Sequence, residues 1–65
     1  MDINVYALDN QGYELAHNSA FSTVAEAKSY ARSLITDKEL IASGLHKIEL
    51  HVNGECTKDW FVKSK

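Results

Sequence analysis

The segment Phe21-Ser22-Thr23-Val24-Ala25-Glu26-Ala27-Lys28-Ser29-Tyr30-Ala31-Arg32-Ser33-Leu34-Ile35 carries the only strong helical period in the chain. Val24, Ala27, Ala31, Leu34 and Ile35 recur at spacings of three and four, so on a helix they form one apolar stripe. Thr23 followed by Glu26 has capping-box spacing: the Thr23 hydroxyl accepts from the Glu26 N–H, and the Glu26 carboxylate accepts from the Thr23 N–H. Phe21 precedes the cap, placed to fold onto the first turn. Two stripe residues are alanines, which let a helix axis approach a flat partner closely. A lone amphipathic helix must bury its stripe against another layer, and the flanking sequence supplies strands for it.

Asp2 to Leu8 and Tyr13 to Asn18 alternate in polarity and read as a first hairpin. A three-residue loop, Asn10-Gln11-Gly12, with Gly12 in the left-handed region, puts Ala7 opposite Leu15 and Val5 opposite His17. Leu45 to Val52 is a third strand, with Ile48, Leu50 and Val52 on one side and Lys47, Glu49 and His51 on the other. Asn53-Gly54 matches a two-residue type I′ turn, but that register pairs Leu50 with Thr57 and Ile48 with Asp59, mixing the faces. A three-residue loop, Val52-Asn53-Gly54, pairs Leu50 with Cys56 and His46 with Trp60 and is preferred; a bulge is the alternative. Lys58 is then the exception on the inner face, where its stem snorkels. Between helix and third strand, Thr36 and Glu39 suggest a second capping box opening a short helical turn that stops at Gly44. One continuous helix to Ser43 is the alternative.

The order ββαββ predicts an α+β fold: a four-stranded, mainly antiparallel sheet with one helix packed on one face, as a single domain over residues 1–65. The expected core is Ile3, Val5, Ala7, Leu15, Val24, Ala27, Ala31, Leu34, Ile35, Ile48, Leu50, Val52, Cys56, Trp60 and Val62. A chain of 65 residues buries only about 60% of its unfolded surface, so good packing, self-association or a partner must add stability. Its one cysteine forbids an intrachain disulfide and, with no secretory hydrophobic segment, fits a reducing cytoplasm. No apolar run approaches a membrane span. The net charge of -2, with acids and bases interspersed, argues against affinity built on phosphate neutralisation. Lys63-Ser64-Lys65 reads as a short basic tail that frays.

The residues expected to carry chemistry do not converge in this register. His46 and His51, five apart on a strand, point to opposite faces, Cys56 faces the core, and His17 belongs to the other hairpin. No metal site is therefore expected. Cys56 reads as a small core hydrophobe, and the three glycines are isolated turn or cap residues rather than a phosphate loop. No catalytic residue and no cofactor are expected, and the chain reads as no enzyme.

The outer sheet face is more informative. It is expected to carry Tyr6, Leu8 and Phe61, more apolar surface than a solvated face requires, among Asn4, Glu14, Ala16, Lys47, Glu49, His51, Glu55, Thr57 and Asp59. One reading is that Tyr6 and Phe61 cover each other across neighbouring strands. The other is a protein-binding face, with Tyr6 and Phe61 as anchors and Glu49, Glu55 and Asp59 as an acidic rim suited to a basic partner. Rival readings are a small nucleic-acid-binding domain using Lys28, Arg32, Lys38 and the Lys63–Lys65 tail, and a homodimer pairing its outer faces.

The step from strand pair to helix through Thr23, Glu26 and Ala27 resembles a pattern of small phage and mobile-element proteins. Integrase arm-binding domains share the step, but they place three strands before the helix and are basic, so DNA binding is not carried over. The order strand–helix–hairpin, with Ala27-Lys28 in the helix and Lys47-Ile48-Glu49-Leu50-His51-Val52-Asn53-Gly54 in the hairpin, is similar to compact type I anti-CRISPR proteins over about half of the chain. That resemblance transfers no functional residue. It implies a small, non-enzymatic inhibitor that binds a larger complex of a bacterial host.

Overall fold

The computed structural model describes residues 2–62. The elements follow in the order β1 (Ile3–Asp9), β2 (Glu14–Asn18), α1 (Val24–Leu34), α2 (Lys38–Ala42), β3 (Leu45–Val52) and β4 (Glu55–Phe61). The strands form one antiparallel sheet in the order β2-β1-β3-β4, and α1 packs across it, giving the expected α+β architecture. The Lys63-Ser64-Lys65 tail lies outside the described residues.

The helix forms for the reasons its sequence states. Thr23 is an extended N-cap that accepts from the Glu26 N–H at 3.2 Å. The Glu26 carboxylate accepts from both the Ser22 and Thr23 N–H groups, closing the capping box. Ala27, Ala31 and Leu34 of the stripe are buried. Phe21 reaches past the first turn and packs on Tyr30, ring centroids 5.3 Å apart. The short α2 is capped by Asp37 rather than by the expected Thr36: the Asp37 carboxylate accepts from the Glu39 and Leu40 N–H groups. The Thr36 hydroxyl instead donates back to the Ser33 carbonyl. Gly44, at φ 103°, ends the turn as expected.

Both hairpins depart from the expected registers, and bulges are the reason. In the first, the three-residue loop holds at its tip: Asp9 accepts from the Gln11 and Tyr13 N–H groups, Leu8 faces Glu14, and Gly12 is at φ 88°. Leu15 is then an extra residue in β2. Beyond it Ala7 faces Ala16, Tyr6 faces His17 and Val5 faces Asn18. His17 thus joins the outer face, and Ala16 the helix side. In the second hairpin the loop is the two-residue Asn53-Gly54, both residues at positive φ (53° and 85°), so the preferred three-residue loop is corrected. Val52 faces Glu55 and His51 faces Cys56; Thr57 is then an extra residue, after which Leu50 faces Lys58 and Ile48 faces Trp60. The turn residues and the hydrophobic pattern are both satisfied because the bulge absorbs their conflict. Cys56 is consequently exposed on the outer face, not in the core, while Lys58 stays on the inner face with its ammonium 5.6 Å from the Trp60 ring centroid. A third irregularity, at His46, turns Leu45 inward to join the core, a position the strand alternation does not foretell.

The core sits under α1. Ile3, Val5 and Ala7 of β1 and Leu45, Ile48 and Leu50 of β3 are buried with the helix stripe. Leu15, Val24, Ile35, Val52, Trp60 and Val62 pack against it only partly buried. Helix width explains the division. A helix with side chains is about 10–12 Å across, whereas four strands at about 4.8 Å spacing are roughly 14 Å wide between outer axes alone. α1 covers β1 and β3, α2 leans on β3, and the inner face of β4 is left open.

Candidate binding surfaces of the sheet

Among the described residues, the outer face of the sheet and the flank of β4 carry exposed apolar side chains beside the core, and β2 is the sheet's other free edge. On the outer face, the registers set Asn4, Tyr6 and Leu8 beside Glu14 and His17 on one flank and Lys47, Glu49 and His51 on the other, with Asp59, Phe61 and Cys56 beyond. The Tyr6 ring stacks on His17 (centroids 4.5 Å, planes 8° apart) and meets His51 edge-on at 4.9 Å. His17 Nε2 lies 2.9 Å from Asn4 Oδ1. Tyr6 is therefore half-buried between two imidazoles, not an open anchor. It also does not touch Phe61, since β3 separates their strands.

Glu49 is the electrostatic centre of this face. Its carboxylate accepts from Lys47 Nζ at 2.7 Å and lies 2.9 Å from His51 Nε2. The hydrogen bonds from Lys47 and from His51 hold Glu49 below the usual carboxylate range, and Glu49 in turn raises Lys47. Across the strand, partial burial of the sulfur, then the Glu49 and Asp59 carboxylates, push the Cys56 thiol above its ordinary value. The Glu49, His51 and Cys56 donor atoms lie within 4.8 Å of one another. The premise that Cys56 and His51 occupy opposite faces is overturned by the type I′ turn, which sets them directly opposite on one face.

The five residues expected to contact a partner are thus dispersed. Glu49 and Asp59 are cross-strand neighbours on the outer face. Glu55 faces Val52 on the helix side, because the two-residue turn shifts it off the outer face. Phe61 does lie on the outer face, opposite Lys47, where it is 56% exposed with its ring edge-on to His46 at 5.6 Å.

Phe61 also belongs to the second surface. A groove of about 710 Å³ opens between the helices and β4, lined by Ile35, Thr36, Lys38, Ile41, Trp60, Phe61 and Val62. Ile41 is 41% exposed at its rim. Neither Ile41 nor the groove was expected from periodicity, although the consecutive Trp60-Phe61-Val62 was a signal: an alternating strand cannot bury three apolar residues in a row. A smaller depression of about 490 Å³ lies at the other end of the helix, lined by Val24, Lys28, Val52, Thr57 and Lys58. Among the described residues, no helix is long and apolar enough to cross a membrane. No family model, curated protein or solved structure matches the chain.

Proposed function

We propose that this chain is a non-enzymatic binding module whose partner is a protein. The observation that carries the reading is the apolar groove beside β4, with Trp60 and Val62 against the core and Ile41 and Phe61 exposed at its rim. Adjacent apolar side chains on an open surface suit an apolar anchor from another chain. The groove runs along an edge strand whose outer backbone groups have no neighbour in the sheet, and such an edge can accept a further strand. Lys38 lines the groove, and Asp59 lies two residues from Phe61 on the outer face, so both signs of charge stand near it. The sharper form of the proposal is an inhibitor encoded by a phage or mobile element, acting in the bacterial cytoplasm on a CRISPR-type defence complex or another host complex. Its support is the resemblance of the helix entry to small phage and mobile-element proteins, and of the strand–helix–hairpin order, with Ala27-Lys28 and the Lys47–Gly54 hairpin, to compact type I anti-CRISPR proteins. A homodimer paired through β4 is the second reading, favoured by that same open edge.

The test is binding of the purified chain to a reconstituted type I effector complex in nuclease-treated buffer, with Phe61→Glu and Ile41→Glu alongside. Co-elution by the wild type, lost in both variants, supports the inhibitor and its groove. Co-elution unaffected by either charge moves the site away from the groove. No co-elution refutes the type I target. A concentration-dependent melting temperature without co-elution favours the homodimer. Binding to nucleic acid that collapses with salt would favour the basic helix face, with Lys28, Arg32 and Lys38, instead.

A further inference from the structure

We propose that Glu49, His51 and Cys56 form a binding site for a divalent transition metal of the zinc class. This site is independent of the groove and of any protein partner. Its ligand set is a thiol, an imidazole and a carboxylate whose donor atoms lie within 4.8 Å of one another. Two ligand atoms on a tetrahedral zinc lie roughly 3.3–3.6 Å apart, given bonds of about 2.0–2.3 Å. Side-chain rotation therefore closes the shell with little backbone movement.

The backbone is already placed for it. His51 and Cys56 are directly opposed in the ladder, one pair from the Asn53-Gly54 turn, and Glu49 lies two residues from His51 on the same face. Strand pairing thus holds the three ligands before any metal arrives. The surroundings also suit second-sphere roles. Lys47 Nζ holds Glu49 Oε2 at 2.7 Å, while Glu49 Oε1 and His51 Nε2 lie 2.9 Å apart in a hydrogen bond that a metal between them replaces, and the Tyr6 ring braces His51 edge-on at 4.9 Å.

Mixed sulfur, nitrogen and oxygen donors select zinc, cobalt or copper over magnesium or calcium, which prefer oxygen alone. One thiolate and one carboxylate balance the two charges of the ion. The Cys56 proton leaves to buffer as the sulfur–metal bond forms. Three protein ligands leave a fourth position for water. His17 is not a ligand here: it is hydrogen-bonded to Asn4 on the far side of the Tyr6 ring.

The test uses the reduced full chain and cobalt(II) as the probe. We expect one cobalt per chain, a thiolate-to-cobalt charge-transfer band in the near ultraviolet, tetrahedral d–d bands in the visible, and bleaching of both by zinc. Outer-sphere partners alone are worth 10–100-fold in affinity, so His51→Gln and Glu49→Gln should each weaken cobalt binding by at least about tenfold. Cys56→Ser should abolish the charge-transfer band, and Lys28→Gln, on the helix, should change nothing. Absence of the band in wild type overturns the site. A band of unchanged affinity in His51→Gln and Glu49→Gln also overturns it, as an adventitious thiol–metal contact, and so does one cobalt bridging two chains. Imidazole ¹⁵N spectra of wild type with zinc decide the matter without any variant: His51 should shift while His17 and His46 do not, and an unmoved His51 overturns the proposal.

Discussion

β3 and β4 are neighbours in one hairpin, yet they occupy opposite environments. Ile48 and Leu50 on β3 are fully buried, whereas their direct partners Trp60 and Lys58 on β4 are half-buried and exposed. The ladder treats the two strands alike. The difference is the position of α1, which lies over β1 and β3 and stops short of β4. In so short a chain one helix builds a core under two strands, and whatever the edge strand carries is left for solvent or for a partner.

The contrast is broken most directly by truncating across the β3–β4 ladder. Leu50→Ala should cost about 2–5 kcal/mol, enough to leave much of so small a domain unfolded. Trp60→Ala, although it removes a larger side chain, should cost only about 1–2 kcal/mol, because the groove already admits water. Urea melts of the pair provide the measurement, and equal losses would mean that the groove is closed in solution.

Next in size is the turn that joins the strands. Gly54 sits at φ 85° with open space around it, so Gly54→Ala meets conformational cost rather than a clash. The expected loss is about 1–2 kcal/mol by thermal melt. A smaller loss would indicate a different turn and, with it, a different face for Cys56. Removing the helix cap, Thr23→Ala, should cost about 1 kcal/mol and lower the melting temperature without altering the β3–β4 register.

The smallest effect is a pH dependence centred on Glu49. Its folded carboxylate is held below the usual range by the hydrogen bonds from Lys47 and His51, so the unfolded chain binds that proton more readily. The stabilisation is complete above the ordinary carboxylate pKa and is lost as pH falls through the depressed folded value. The melting-temperature gap between wild type and Glu49→Gln should therefore narrow on the acid side of that range and stay constant at neutral pH. A gap that does not change with pH would mean that Lys47 and His51 do not favour the charged carboxylate in solution.

Much of the architecture was legible because it rests on local chemistry. The helix stripe, the Thr23–Glu26 capping box, the element order and the left-handed Gly12 depend on residues within a few positions of one another. The registers were less legible for one physical reason. Hydrophobic alternation and turn chemistry conflict at Asn53-Gly54 in any bulge-free register, and the alternative to the preferred three-residue loop, a bulge, satisfies both through one extra residue at Thr57. The two-residue turn sets Cys56 opposite His51 and beside Glu49 on the outer face, and the insertion at Thr57 returns Lys58 and Trp60 to the helix side. The same kind of shift at Leu15 moves His17 beneath Tyr6, so the aromatic expected as an open anchor is instead sandwiched.

By itself, then, the sequence determined a two-layer α+β fold, its capped helix, its two hairpins and most of the buried residues under the helix, with Leu45 missed and Cys56 wrongly included. Each of these follows from periodicity and backbone preference acting over short distances. Only the tertiary structure decided which outer-face side chains meet and which strand stays uncovered. Both depend on where bulges place pairs distant in sequence and on how far one helix can reach across four strands.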